Sequence, residues 1–207
     1  MTDQSALPER VAIVGAGVIG AAWTARWLLR GVDVAVTDPS ATAPKVVAHV
    51  VDNARHAWTR MGIEPEREGA LTFVDSIDAA VRDADIVQEN VPEILELKKT
   101  ILGQIEASVD AATLIASSTS GLKPSVLQAD LRYPERLVVG HPFNPVYLLP
   151  MVEVVGGEST SSESISRAMA LYDAAGMHPL HVRVEIDAFI ADRLLEAVWR
   201  EALWLVS

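Results

Sequence analysis

Residues 11–20 read Val-Ala-Ile-Val-Gly-Ala-Gly-Val-Ile-Gly, a short β-branched run that meets glycines at positions 15, 17 and 20. Apolar residues at helical spacing follow through Arg30 and stop at Gly31, a helix C-terminal signal. Strand, glycine turn and helix are then followed by Val32 to Asp38, a second strand that ends in an acid, with Pro39 unable to continue a ladder. In such a βαβ unit Gly15 permits the tight turn, Gly17 lets backbone approach a pyrophosphate, and Gly20 packs helix on strand. An acid about 20 residues further on accepts hydrogen bonds from an adenine ribose, and Asp38 fills that position. A carboxylate repels a 2′-phosphate, and Pro39 stands where a basic residue would be needed. The pattern therefore favours NAD over NADP, with Gly15, Ala16, Gly17, Val18, Ile19, Gly20 and Asp38 binding it.

Outward from this unit the alternation continues. An amphipathic helix is predicted from about Ala41 to Met61, carrying Val46, Val47, Val50, Ala54, Ala57 and Trp58 on its apolar face. Further strands are predicted at Leu71 to Val74, Asp85 to Asn90, Thr113 to Thr119, Leu137 to Val139, Met151 to Val155 and Pro179 to Val184. Helices separate them, one running from Ile94 to about Val109 and another opening on a capping box, Thr160-Ser-Ser-Glu163. This is the pattern of an α/β, doubly wound, Rossmann-type and mostly parallel sheet over residues 1–186, with ligands at the carboxyl ends of the strands. Residues 187–207 differ. A helix from Ala188 to Val206 is apolar around nearly its whole circumference, and nothing left in the chain covers it. It is expected to be the first helix of an all-α C-terminal domain, or to be covered by a partner subunit.

Composition narrows the function. The chain has 207 residues, half of them apolar, and a net charge of -11 without a Lys or Arg cluster, which disfavours nucleic acid and anionic membranes as partners. It has no cysteine, so disulfide, thiolate and zinc-thiolate chemistry are out, and no spaced metal-ligand set is present. The polar start Met1 to Arg10 does not read as a signal peptide, and no apolar run approaches ~20 residues. A cytoplasmic protein acting on a small molecule is expected. His49 and His56 share one helix face and are read as solvated.

The stretch from Gly140 to Gly157, GHPFNPVYLLPMVEVVGG, holds one histidine, His141, and one acid, Glu153. Oxidising an alcohol with NAD needs a base for the hydroxyl proton, and a base of near-neutral pKa needs an orienting carboxylate. Glu153 serves His141 only if the chain between them turns back, which Pro142, Pro145 and Pro150 favour. A strand-end histidine bonded to backbone, beside a solvated glutamate, is the competing reading.

Taken together, the glycine turn with Asp38, the strand end Ser117-Ser-Thr-Ser120, His141-Pro-Phe-Asn-Pro145 and Glu153 resemble the 3-hydroxyacyl-CoA dehydrogenase superfamily over essentially the whole chain. The resemblance implies that His141 is the catalytic base, that Glu153 orients it, that Ser120 hydrogen-bonds the reacting oxygen and that Glu93 and Lys98 line the nicotinamide side. It also implies a C-terminal helical domain that closes the cleft and forms a homodimer. Where acyl-CoA enzymes of this family place an asparagine in the helix opening the second domain, this chain has Asp192. That extra carboxylate suits a cationic 3-hydroxy acid, one bearing a trimethylammonium group, better than a thioester. A 3-hydroxyacyl-CoA, another 3-hydroxy acid such as a sugar acid, and an NAD-binding module without catalysis remain as alternatives.

Overall fold

The computed structural model describes residues 7–207. Eight strands form one sheet in the order β3-β2-β1-β4-β5-β6-β7-β8. They are β1 Arg10–Val14, β2 Asp33–Thr37, β3 Leu71–Phe73, β4 Ile86–Glu89, β5 Leu114–Ser117, β6 Leu137–Pro142, β7 Met151–Gly156 and β8 His178–Val182. All neighbours run parallel except β6 and β7. The helices are α1 Val18–Leu29, α2 Ala43–Arg60, α3 Ile77–Val81, α4 Leu95–Ser108, α5 Pro124–Gln128, α6 Ser162–Ala174 and α7 Ala191–Val206. The doubly wound sheet expected from the sequence is what forms.

Its apolar side chains divide strictly by face, because successive residues of a strand point to opposite sides. Val11 and Ile13 of β1 join one layer with Trp23, Trp27, Val47 and Trp58, whereas Ala12 and Val14 join the other with Leu102, Ile105 and Leu127. In the first layer Trp23 and Trp27 stack at 6.2 Å between ring centroids, and Tyr172 of α6 stacks on Trp23 at 5.3 Å. The tyrosine hydroxyl sits so close to β6 that a Cβ at position 140 would fall 2.1 Å from it, so only glycine fits there. Gly140 thus lets an aromatic pack flat against the strand that carries His141.

Three local readings need correction. The buried face of α2 is Ala43, Val47, Val51, Ala54 and Trp58, so Val47, Ala54 and Trp58 lie where the sequence places them, whereas Val46 is exposed and Val50 and Ala57 are only half-buried at the edge of the stripe. The capping bond of α6 comes from Ser161, whose side chain accepts from the Ser164 amide at 3.0 Å, since Thr160 is occupied with the Leu137 carbonyl and the Gly157 amide. The last helix begins at Ala191, three residues after the expected Ala188, because Ala188 and Phe189 take left-handed backbone at φ +59° and +47°. None of α7 is buried; Trp199 and Trp204 are 61% and 70% exposed.

Candidate functional site

In this strand order β1 lies between β2 and β4, and the connections leave β1 and β4 in opposite directions. A crevice opens there at their carboxyl ends, the place where doubly wound sheets collect ligands. Gly15 follows β1 with φ +89°, and a Cβ on it would meet the backbone carbonyl of Asn90, which follows β4, at 2.9 Å. The two strand ends therefore touch across the switch point. A cavity of about 690 Å³ opens above them, lined among others by Gly15, Gly17, Val18, Ile19, Asp38 and Ser120.

The residues present fit a dinucleotide. A Cβ on Gly17 would meet nothing within 4 Å, so the space in front of it is free for another group. The N-terminus of α1 has no side-chain cap and no acid in its first turn. Its amides and the positive end of its dipole face that space, the arrangement that binds pyrophosphate. Gly20 is needed for a different reason than helix-on-strand packing: its Cβ would land 1.9 Å from the carbonyl oxygen of Gly15 in the same turn. Asp38 accepts the Ala16 amide at 2.6 Å on one carboxylate oxygen and the Ser40 amide at 2.8 Å on the other. Each oxygen keeps a second lone pair for a ribose hydroxyl. Ala16 and Gly20 shape the turn, and Gly15, Gly17, Val18, Ile19 and Asp38 line the cavity.

His141 and Glu153 face each other as a cross-strand pair of the antiparallel β6–β7 ladder. Imidazole Nδ1 lies 2.9 Å from Glu153 Oε2, and both side chains are buried. The other carboxylate oxygen, Oε1, accepts the backbone amides of Ile190 and Ala191, each at 3.0 Å. Burial pushes the Glu153 pKa up, but the His141 bond and the Ala191 and Ile190 amides outweigh it, leaving the carboxyl below its ordinary value. An ionised carboxylate only accepts, so Nδ1 carries the hydrogen, and in the neutral ring Nε2 presents its lone pair. On that side Asp192 Oδ2 stands 3.9 Å from Nε2, too far for a hydrogen bond. In the β5–β6 register Ser117 pairs with Val139, so His141 sits level with Thr119, beside the hydroxyl-rich strand end.

Glu93 and Lys98 both line the cavity but differ in what they offer. Lys98 is 1% exposed, and its ammonium is held by Glu89 at 2.9 Å and by the Val91 carbonyl at 3.0 Å. Glu93 accepts the Thr119 hydroxyl and the amides of Ser120 and Gly121, the latter two at 3.0 and 3.1 Å, and so fixes the serine loop. Sequence reasoning missed Glu89, wholly buried and bonded to Ser117 Oγ at 2.5 Å. It also missed a polar chain beneath the crevice. Tyr172 donates to Gln88 at 2.7 Å, Gln88 to Ser118 at 2.8 Å and Ser118 to Asn90 at 2.8 Å. The signal was available: Gln88-Glu89-Asn90 puts three polar residues at the end of a strand that is otherwise apolar, where buried polar groups demand partners.

Comparison with known proteins agrees with this geometry. The chain is 52% identical over 202 residues to an L-carnitine dehydrogenase of Mesorhizobium japonicum, covering 96% of this chain and 55% of that protein. It is 49% identical over 200 residues to an L-carnitine dehydrogenase of Oceanobacillus iheyensis, covering 96% and 65%. The chain thus spans between about half and two thirds of the length of these relatives. Among solved structures, that of 5-formyl-3-hydroxy-2-methylpyridine 4-carboxylic acid 5-dehydrogenase, an NAD-dependent dismutase, superposes with a TM-score of 0.90 at 34% identity, covering 96% of this chain and 65% of that one. Residues 10–186 match the family described as 3-hydroxyacyl-CoA dehydrogenase, NAD binding domain. With the dinucleotide crevice built as above, that match makes the chain a member of the 3-hydroxyacyl-CoA dehydrogenase family, and NAD its cofactor.

Proposed function

We propose that the protein oxidises the 3-hydroxyl of L-carnitine to 3-dehydrocarnitine, with His141 as base. The observation that carries this reading is the imidazole fixed by Glu153 on Nδ1 at 2.9 Å, with the Asp192 carboxylate standing 3.9 Å from Nε2 without bonding it. Glu153 fixes the tautomer, so that Nε2 takes the hydroxyl proton and Nδ1–H stays bonded while the ring becomes positive. Ser120, at the rim of the cavity, hydrogen-bonds the reacting oxygen. NAD, when bound, accepts the hydride from the carbinol carbon. Asp192 supports the choice of substrate, because in carnitine the quaternary nitrogen sits on the carbon next to the carbinol. A carboxylate 3.9 Å from the base then stands beside that cation, and the relatives at about half identity carry the same activity in their names. Two unit charges about 4 Å apart attract by ~1 kcal/mol in water and ~4 kcal/mol at a protein surface.

The exposed apolar side chains of α7 support a further helical domain that covers them and forms a homodimer. Among the described residues no helix is long and apolar enough to cross a membrane. The test is NAD reduction by the complete gene product with L-carnitine, a 3-hydroxyacyl-CoA and sugar acids as competing substrates. Turnover of carnitine that disappears in His141→Gln and shows at least a tenfold higher KM in Asp192→Asn is expected. Turnover of the acyl-CoA with none of carnitine would overturn the substrate assignment.

A further inference from the structure

The start of α7 does more than follow the sheet. Ala188 and Phe189 are the two non-glycine residues among those described with left-handed backbone, φ +59° and +47°. Such a conformation in adjacent residues with side chains is held only where the surroundings over-determine it, and it clusters at functional sites. Here it has two geometric results. The Phe189 ring is driven inward, becomes wholly buried and packs against the imidazole of His141 at 5.5 Å between centroids. The chain then turns so that the next two amides, Ile190 and Ala191, point at one oxygen of Glu153 while His141 holds the other. Phe143 closes the remaining flank of the imidazole at 5.8 Å.

We propose that Phe189 is a positioning residue for His141, seated by the left-handed turn at 188–189, and that this turn couples the placement of α7 to the orientation of the imidazole. The proposal rests on the reading of His141 as the base. Phe189 touches neither substrate nor cofactor in it; the ring blocks rotation about χ2 of His141, and the paired amides hold Glu153 so that its free oxygen meets Nδ1. If α7 is displaced, ring support and carboxylate support are lost together, because one turn supplies both.

The decisive measurement is the tautomer of His141, read by ring-nitrogen NMR on the 207-residue chain, with the signal assigned by its disappearance in His141→Gln. The native chain is expected to hold the Nδ1–H form. Phe189→Ala is expected to give a mixture of tautomers and, in the complete gene product, a kcat lower by on the order of 10- to 100-fold with the KM for NAD unchanged. Phe189→Leu keeps apolar volume and is expected to recover most of both signals, which guards against a variant that merely unfolds. Ala188→Val leaves the ring intact but disfavours the left-handed turn, so it is expected to reproduce the loss, whereas Ala188→Gly keeps the native tautomer. A single Nδ1–H tautomer and native kcat in both Phe189→Ala and Ala188→Val would overturn the proposal. Because the tautomer is read without substrate, absence of turnover with every 3-hydroxy acid would sink the functional assignment while leaving this test able to decide.

Discussion

Gly17 and Gly20 belong to one fingerprint, yet the structure separates them, and replacing each by alanine tests that separation. At Gly17 the added methyl meets nothing within 4 Å, and the residue is the N-cap of α1 in extended backbone at φ -66°. Gly17→Ala therefore carries only the small N-cap preference for glycine over alanine, about 0.5–1 kcal/mol. At Gly20 the methyl would lie 1.9 Å from the Gly15 carbonyl oxygen. That oxygen is backbone in a tight turn and cannot swing away. Overpacking of this kind costs ~1–3 kcal/mol or more, against ~1 kcal/mol returned by better helix propensity inside α1. For a domain of this size each kcal/mol moves Tm by about 2–4 °C. Gly20→Ala is thus expected to lose several degrees in thermal unfolding, and Gly17→Ala no more than about 4 °C. NAD titration followed by tryptophan fluorescence should rank them otherwise. In Gly17→Ala the methyl stands where the pyrophosphate must approach the amides of α1, and Kd is expected to rise at least tenfold, about 1.4 kcal/mol. Native NAD affinity in Gly17→Ala, with stability intact, would refute the placement of the pyrophosphate in front of that residue.

Two further outcomes follow from the site. Glu153 has its folded-state pKa lowered, so the unfolded chain takes up its proton first as pH falls; the stability it contributes is full above the unfolded value of about 4.3 and is lost as pH drops through the folded one. Chemical denaturation from pH 7 to pH 3 should show this acid-side loss, and Glu153→Gln should flatten it, while an unchanged slope would contradict the pairing. Lys98→Met leaves the buried carboxylate of Glu89 without its cation and is expected to destabilise by ~3–5 kcal/mol in urea unfolding, a loss that adding Glu89→Gln should largely recover.

The fold was legible because its decisive features are local. The run Val11 to Val14, the glycine turn and Asp38 specify a βαβ unit from 28 consecutive residues, and short apolar strands alternating with helices extend it. Helix starts were less legible wherever a long-range bond competes for the capping residue, as the Leu137 carbonyl does for Thr160. The site was legible in its side chains but not in its supports. His141 and Glu153 stand out because their stretch is otherwise nearly devoid of titratable groups. That Glu153 also accepts two amides from residues 190 and 191 depends on a backbone turn with φ values that Ala and Phe seldom adopt, and no residue preference announces it. Glu89 stayed hidden for the opposite reason: a buried acid is legible only with its partner, and Lys98 lies nine residues on in another element.

The antiparallel pairing of β6 with β7 also governs how this region can change in length. His141 and Glu153 are direct opposites in the ladder, and side chains alternate between faces along a strand. An insertion of one residue inside either strand would carry Glu153 or His141 to the far side of the sheet, whatever its identity. Insertions in the loop between the strands carry no such penalty, since closing a loop of twice the length costs only ~0.6 kcal/mol more. The connection at positions 143–150 can therefore take added residues only where Phe143 keeps its place beside the imidazole and the carbonyls of Val146 and Tyr147 keep their bonds from Arg26 and Trp58, while within the two strands single-residue insertions and deletions are closed.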